Sequence, residues 1–377
     1  MEKAYLIICN TNYQILNAIQ LKLTLLKDNY VSVWISDHIK NAKMLCENIN
    51  NINLFQNVQY IESYNQVKKQ NIIDSFIQIM KLGCGYTSIS NNNLCNINKI
   101  ITYNFDVSYY NIVNAIEKYK MNIEWSKMDE GIFSYNTDFY MKGLRPSCIK
   151  VLRRLRGKKD VLKDFNEFYC SIPLLKTIHS EWKTIIIPSI SFNKEEMQNV
   201  LSYIYNYDKK DLKEKYIFFA SSSDIDGNSF GETNIILKIA ELVGKDNFIV
   251  KCHPRDNRNI FENYGIKVFK ENNIPWEVIQ IINDYSDKVF LTVTSGAFIT
   301  VESWLPTKNK FLLLYPEIKK FPLSYEKYIN RIDNMIENLH KNKLVKNVLK
   351  TDINGLSEIL NINKNIDSKD KKIRDLL

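Results

Sequence analysis

Short apolar runs alternate with longer amphipathic stretches along most of the chain. The short runs are rich in β-branched and aromatic residues, as in AYLIICN at residues 4–10, and such runs are typical of β-strands. The stretches between them, such as residues 13–26 and 65–82, carry apolar residues at helical spacing. This alternation predicts parallel sheets covered by helices, which is an α/β fold.

The alternation starts twice, which predicts two domains, each large enough to bury its own core. Five strands are expected in the first half, within residues 4–10, 30–36, 58–63, 99–104 and 121–126. Five more are expected in the second half, within residues 215–221, 247–252, 266–271, 288–293 and 311–316. The predicted domains are residues 1–187 and 188–322, followed by helices and a polar tail over residues 323–377.

Two features narrow the class of protein. No run of about 18 apolar residues is present to span a bilayer, and polar residues follow the first apolar run too early for a signal peptide, so we expect a cytoplasmic protein. The seven cysteines are scattered and never form a C-x-x-C pair, which argues against a disulfide framework and against a zinc site.

The net charge of +9 comes mostly from residues 145–163, which contain eight Lys or Arg and one acidic residue. Val151, Leu152 and Leu155 interleave these basic residues at roughly helical spacing. The pattern predicts a solvated basic face or, as a second interpretation, peripheral contact with an anionic membrane surface. A nucleic-acid partner is not expected.

Candidate chemistry lies just beyond the predicted strands, because ligands of open parallel sheets bind at the carboxyl ends of the strands. In the first half, Asp129 and Glu130 stand before Gly131 directly after a predicted strand. A carboxylate there can take a proton from an attacking hydroxyl. The same residues also suit a solvated turn, since Asp and Gly are strong turn formers.

In the second half, Lys251, His253 and Arg255 gather at the end of one predicted strand. Pro254 favours an extended conformation for His253 and so holds the imidazole at the strand end. Such a cluster suits an anion, above all a phosphate. A hydrogen-bonded loop histidine is the alternative interpretation.

Two hydroxyl-rich segments follow other strands of the second half. Thr294, Ser295 and Gly296 precede a predicted helix start, where they suit either an anion site or an ordinary helix cap. Ser221 and Ser222 open a polar loop that suits a phosphate or sugar cradle, a mobile lid or a plain loop. This loop matches neither G-x-G-x-x-G nor the P-loop pattern, which disfavours a dehydrogenase and an NTPase.

The order of four motifs resembles that of bacterial sialyltransferases of the GT-B type: DEG at 129–131, KCHP at 251–254, PWE at 275–277 and TSG at 294–296. The segment IICNTNYQILNAI at residues 7–19 is similar to the amino terminus of lipooligosaccharide and capsule sialyltransferases. The likeness extends over about residues 4–315. It implies two Rossmann-like domains facing each other across a cleft, the first binding the acceptor and the second the CMP donor.

The resemblance also implies a role for each matching residue. Asp129 is expected to be the general base, with Glu130 beside it, and His253 is expected to donate to the departing phosphate. Lys251 is expected near the cytosine and Glu277 at the ribose hydroxyls. The other donor-binding residues implied by the motifs are Pro254, Thr294, Ser295 and Gly296. The acceptor side is expected to include Asn10, Thr11 and Gln14.

The implied reaction moves sialic acid from CMP-sialic acid to a hydroxyl of a terminal sugar, expected to be galactose, on a lipooligosaccharide, capsule or related glycan. CMP gains about one negative charge as it leaves, and lysine, histidine and hydroxyl donors can stabilise that charge in place of a divalent ion. We therefore expect an inverting, metal-independent reaction without a cofactor. A homodimer formed through the first domain is compatible with the resemblance.

Two alternatives remain open at the level of the sequence. The same architecture could use another CMP-activated donor such as Kdo, or transfer glycerol phosphate. A protein of a different class would be non-catalytic and would use residues 145–163 to bind membranes.

Overall fold

The computed structural model describes residues 3–63, 71–103, 107–135, 144–158, 165–225, 227, 229–253, 255–256, 258–271, 273–283, 285–297, 309–343 and 345–362. The chain divides into two compact units, and the division falls between Lys209 and Lys210. Each unit contains one parallel sheet with helices, so the predicted α/β fold with two Rossmann-like domains is confirmed. Across the described ranges, no helix combines the length and the apolar character that a membrane crossing requires.

The first unit is built on a seven-stranded sheet in the order β3-β2-β1-β4-β5-β6-β7. Its strands are β1 (Ala4–Cys9), β2 (Tyr30–Ser36), β3 (Asn57–Ile61), β4 (Lys99–Thr102), β5 (Glu124–Met128), β6 (Phe165–Cys170) and β7 (Lys183–Ile186). Its helices are α1 (Asn12–Leu23), α2 (Ala42–Asn51), α3 (Ile72–Gly83), α4 (Val107–Tyr119), α5 (Leu144–Leu155) and α6 (Lys194–Tyr205). All neighbouring strands pair in parallel, and the strand order reverses between β1 and β4.

The second unit is built on a six-stranded parallel sheet in the order β10-β9-β8-β11-β12-β13. Its strands are β8 (Tyr216–Phe219), β9 (Phe248–Lys251), β10 (Lys267–Val268), β11 (Val289–Thr292), β12 (Lys310–Leu313) and β13 (Val348–Lys350). Its helices are α7 (Glu232–Val243), α8 (Ile260–Asn263), α9 (Trp276–Ile282), α10 (Leu323–Lys341) and α11 (Ile353–Ile359). Here the strand order reverses between β8 and β11, which is where ligands of such sheets bind.

The central strands are apolar because they are covered on both faces. Every residue of β1, β8, β9 and β11 is buried. In the second unit, the indole of Trp276 at the start of α9 packs against Phe219 and Phe290, with ring centroids 4.7 and 5.4 Å away. This contact fixes the first turn of α9 beside the ends of β8 and β11.

The structure contains strands that the sequence pattern did not predict. All ten expected strands are present, but β6, β7 and β13 are additional. The segment FNEFYC of β6 has a charged residue in its middle and follows the basic segment, so its apolar pattern is short and broken. Strand β13 pairs with β12, and the residues after 322 therefore extend the second sheet where only helices and a tail were expected.

The division between the units also lies later than the expected boundary near Pro188. Helix α6 belongs to the first unit, and hydrogen bonds connect it to two other helices of that unit. Asn48 Nδ2 of α2 donates to the Ile204 carbonyl at 2.8 Å, and the Tyr205 hydroxyl donates to Asn12 Oδ1 of α1 at 3.0 Å. The amphipathic helix expected to lead into the second sheet thus covers the first one.

Helix α5 is held to α4 by Arg153, whose side chain is buried. The guanidinium donates to Asn114 Oδ1 and, at 2.6 Å, to Glu117 Oε1. We expect Arg153→Ala to lower the free energy of unfolding by about 2 kcal/mol, because Asn114 loses its donor and the partly buried Glu117 carboxylate keeps only its 3.5 Å pair with Lys158. The exposed neighbour Arg154→Ala is the matched control, with an expected change below about 0.5 kcal/mol. Equal effects of the two variants in urea denaturation would contradict the structural role of Arg153.

Candidate active site

The sequence-predicted polar residues collect at the carboxyl edges of the two sheets. In the first unit, Asn10 follows β1, and Asp129 and Glu130 follow β5. In the second unit, strands β8, β9 and β11 are neighbours, and their carboxyl ends carry Ser221 and Ser222, Lys251 and His253, and Thr294, Ser295 and Gly296. Each unit therefore has one polar edge, and in the second unit that edge includes the reversal of strand order.

Asp129 is fully buried, and its carboxylate accepts hydrogen bonds from five donors. Oδ1 accepts from the Gly131 N–H at 2.7 Å and the Ser134 hydroxyl at 2.8 Å. Oδ2 accepts from the hydroxyls of Tyr13 at 3.2 Å, Ser171 at 3.0 Å and Tyr135. These bonds occupy the lone pairs of both oxygens, so a proton from a substrate hydroxyl must displace one of the donors.

The donors to Asp129 come from separate elements of the first unit. Tyr13 lies on α1, Ser171 follows β6, and Tyr135 ends a short 3₁₀ helix. Gly131 has a φ of +112°, in the left-handed region that favours glycine, and this turn directs its N–H back to the carboxylate. Asp129 therefore ties together the ends of β5 and β6 and the first turn of α1.

Glu130 has a different environment from its neighbour. Its side chain is partly exposed and has no hydrogen-bond or ion-pair partner among the described residues. Burial raises the pKa of its carboxyl to about 7, and the charge of Asp129 contributes in the same direction. Glu130 can therefore take up and release a proton near neutral pH, which is the property a general base needs.

The three residues expected on the acceptor side form the beginning of α1. The Thr11 hydroxyl accepts from the Gln14 N–H at 3.3 Å, and Gln14 Oε1 accepts from the N–H groups of Asn10 at 2.6 Å and Thr11 at 3.1 Å. This is a capping box, which satisfies the free N–H groups at a helix start. Asn10 and Gln14 are buried, whereas Thr11 is partly exposed at the sheet edge.

Lys251 is the last residue of β9 and is buried. Burial lowers the pKa of its ammonium group to about 8, while the nearby Glu277 carboxylate acts in the opposite direction. Its Nζ donates to the Glu271 carbonyl at 3.2 Å. Lys251 and Glu277 therefore lie close enough for their charges to interact.

His253 lies two residues beyond β9 and is partly exposed. Its Nδ1 accepts from the Arg255 N–H at 3.2 Å, which assigns the proton of the neutral imidazole to Nε2. The Nε2–H group can therefore donate to an anion. Pro254, which was expected to orient this histidine, lies outside the described residues.

The turn after β11 is held by its own hydroxyl groups. The Ser295 N–H donates to Thr292 Oγ1 at 2.9 Å, and Ser295 Oγ accepts from the Ala297 N–H at 3.4 Å. The Tyr328 hydroxyl of α10 donates to the Thr294 carbonyl at 2.6 Å. Thr294 is buried, whereas Ser295 and Gly296 are partly exposed beyond the strand.

Ser221 and Ser222 are bonded to charged side chains of the same unit. The N–H and the hydroxyl of Ser221 both donate to Glu232 Oε2, at 2.8 and 2.6 Å. Arg255 donates to the Ser222 hydroxyl at 3.0 Å. The donors of Ser221 therefore serve a buried carboxylate.

Several residues at these edges were missed by sequence reasoning. Ser134 and Tyr135 come within six positions of Asp129, so an aspartate that begins a tight turn is a signal that could have found them. Ser171 could not be found, because β6 was not predicted. Glu232 begins the predicted helix α7, where an acidic residue is common, and nothing in the sequence shows that it is buried.

Glu232 makes the stability of the second unit depend on pH. Burial raises its pKa to about 7 from a usual value of 4.5. As pH rises through this window, the unfolded chain ionises first and the folded state loses stability. We expect Glu232→Gln, which keeps an acceptor for Ser221, to raise stability at about pH 8 by up to about 3 kcal/mol, and the gain to vanish toward pH 4.5.

The matched control for this effect is Glu241→Gln on the same helix, since Glu241 is exposed and pairs with Lys245 at 2.9 Å. Its expected effect is below about 0.5 kcal/mol. Thermal unfolding at several pH values measures both variants. A gain for Glu232→Gln that does not change with pH would contradict the raised pKa.

Comparison with known proteins shows the fold. No protein-family model matches the chain, and no curated protein matches it in sequence. An α/β-galactoside α-2,3-sialyltransferase from the luminous marine bacterium Photobacterium phosphoreum is similar in structure over 93% of this chain and 98% of that one, with 12% identity and a TM-score of 0.50. A UDP-GlcNAc 2-epimerase from Methanocaldococcus jannaschii covers 93% and 89%, with 12% identity and a TM-score of 0.49. MurG from Acinetobacter baumannii covers 96% and 90%, with 8% identity and a TM-score of 0.45. The chain has the fold of GT-B glycosyltransferases.

Proposed function

We propose that this chain is a glycosyltransferase that moves sialic acid from CMP-sialic acid to a hydroxyl of a sugar acceptor. The observation that carries the proposal is the grouping of Lys251 and His253 at the end of β9 with Glu277 in the first turn of α9. This edge offers a cation, a carboxylate for hydroxyl groups and an N–H donor within one unit. The fold shared with a bacterial sialyltransferase supports the same assignment.

The second unit is proposed to bind the nucleotide. Lys251 is proposed to lie near the cytosine, and the negative charge of the bound nucleotide favours the charged form of Lys251, which burial disfavours. The Nε2–H of His253, the hydroxyl of Ser295 and the N–H of Gly296 are proposed to donate to the phosphate oxygens. Glu277 is proposed to accept from the ribose hydroxyls. These groups stabilise the negative charge that grows on CMP, so we propose a reaction that needs no divalent ion.

The first unit is proposed to activate the acceptor, and Glu130 is the member of the acidic pair that a substrate can reach. Its side chain is partly exposed and its pKa is raised to about 7, whereas Asp129 is buried and bonded to five donors. This order differs from the one implied by the resemblance, in which Asp129 is the base. We assign to Asp129 the role of a positioning residue whose charge raises the basicity of Glu130.

The proposed reaction is a single displacement with inversion. The acceptor oxygen forms a bond to the anomeric carbon as the bond from that carbon to the phosphate oxygen breaks. The electron pair of the broken bond leaves with CMP, to which His253 donates a hydrogen bond, and the acceptor proton passes to Glu130. The anomeric carbon of sialic acid is tertiary, so departure of CMP runs ahead of attack and a weak nucleophile suffices.

The first test is transfer from CMP-sialic acid to lactose or to terminal galactose on a lipooligosaccharide. We expect Glu130→Gln to lower kcat by about 10² to 10⁴ and His253→Ala by about 10² to 10³. The matched controls are Glu62→Gln, which changes an exposed carboxylate after β3, and His340→Ala on α10. Release of CMP from CMP-Kdo but not from CMP-sialic acid would show that the donor is Kdo. Full activity of both site variants would overturn the proposed catalytic roles.

The pH dependence of kcat/KM provides a second test. Glu130 must be ionised and Lys251 protonated, so the profile is expected to rise through about pH 7 and to fall above about pH 8. Asp129→Asn is expected to move the rising limb to lower pH, because a charge that raises the pKa of Glu130 is removed. A rising limb that stays in place in Asp129→Asn would contradict the effect of the Asp129 charge on Glu130. A limb that is lost in Asp129→Asn and kept in Glu130→Gln would assign the base to Asp129.

A further inference from the structure

Helix α3 presents an apolar stripe to solvent. The side chains of Ile72 and Phe76 are 89% and 62% exposed. The stripe also includes the exposed residues Ile73, Ile77 and Met80, which lie on the same side of the helix. The buried residues Leu82 and Gly83 stand only at its end, so most of the apolar surface of this helix is not used in the core.

Helix α5 carries a second exposed stripe, formed by Leu144, Cys148, Val151 and Leu155. The two helices pack side by side and run in the same direction. Arg145 at the start of α5 donates to Gln78 at 3.2 Å, and a Cβ atom at Gly83 would lie 2.6 Å from Leu152 near the end of α5. The pair therefore forms one surface element, which we call the α3–α5 face.

Basic residues accompany these stripes. Lys150, Arg154 and Arg156 are exposed, whereas Arg153 is buried against α4 and does not contribute. Residues 144–158 contain no Asp or Glu, and Asp74 is the one acidic residue within α3. The expected basic segment also included residues 159–163, but those lie outside the described residues.

We propose that the α3–α5 face binds the surface of an anionic lipid bilayer, with the apolar stripes in the headgroup region and the basic residues at the lipid phosphates. Large apolar side chains flanked by Lys and Arg are the composition of helices that lie in a membrane interface. A second copy of this chain fits less well, because a symmetric contact would bring the basic residues of both copies together. This inference does not depend on the proposed reaction.

Sedimentation with lipid vesicles tests the proposal on the full chain. Vesicles of phosphatidylcholine are compared with vesicles in which about a third of the lipid is phosphatidylglycerol. We expect binding to the anionic vesicles alone, and about 25-fold weaker binding for Lys150→Ser with Arg154→Ser, at about fivefold for each basic residue. Ile73→Ser with Phe76→Ser is expected to weaken binding at least tenfold, which separates insertion from charge attraction.

Two control variants match these changes elsewhere on the chain. Lys209→Ser with Lys213→Ser removes the same charge from exposed positions, and Phe192→Ser removes a single phenylalanine that is 83% exposed. Both controls are expected to bind like the wild type. Equal sedimentation with both kinds of vesicle, or equal losses in controls and test variants, would overturn the proposal. A dimer in analytical ultracentrifugation that Phe76→Ser converts to a monomer, with vesicle binding unchanged, would assign the α3–α5 face to a second copy.

Discussion

All described strands of each sheet run parallel, and the position of the polar residues depends on this constraint. Parallel strands end at one edge, so residues far apart in sequence become neighbours there. In the second unit this brings the turns after β8, β9 and β11 together, although more than 70 positions separate Ser221 from Ser295. The interior residues of the central strands β1, β8, β9 and β11 are apolar, and charged side chains of these strands stand at or beyond the carboxyl ends.

At both edges, a buried carboxylate accepts hydrogen bonds from a turn, and a second titratable group lies beside it. Asp129 accepts five hydrogen bonds and fixes the ends of β5 and β6, while Glu130 beside it keeps a raised pKa. In the second unit Glu232 holds the turn after β8 through Ser221, and Lys251 stands at the end of the adjacent strand.

The sequence was sufficient for the architecture and for the strand ends, but not for the division of roles between adjacent residues. Ten strands could be predicted because apolar runs mark them, whereas β6 was missed because Glu167 interrupts its pattern. Asp129 and Glu130 look equivalent in sequence, and their difference comes from hydroxyl donors on α1 and after β6 that only the folded chain brings together. The exposure of the apolar stripe of α3 could not be predicted either, because an amphipathic helix normally turns its apolar side to the core.

We propose that the polar edge of the second unit binds a nucleoside monophosphate of the CMP type. Calorimetric titration of the full chain with CMP, UMP and UDP tests it most directly, because it requires no acceptor. We expect CMP to bind more tightly than UMP or UDP, and Lys251→Met to weaken CMP binding about tenfold or more. Tighter binding of UDP, or CMP binding that Lys251→Met leaves unchanged, would contradict it.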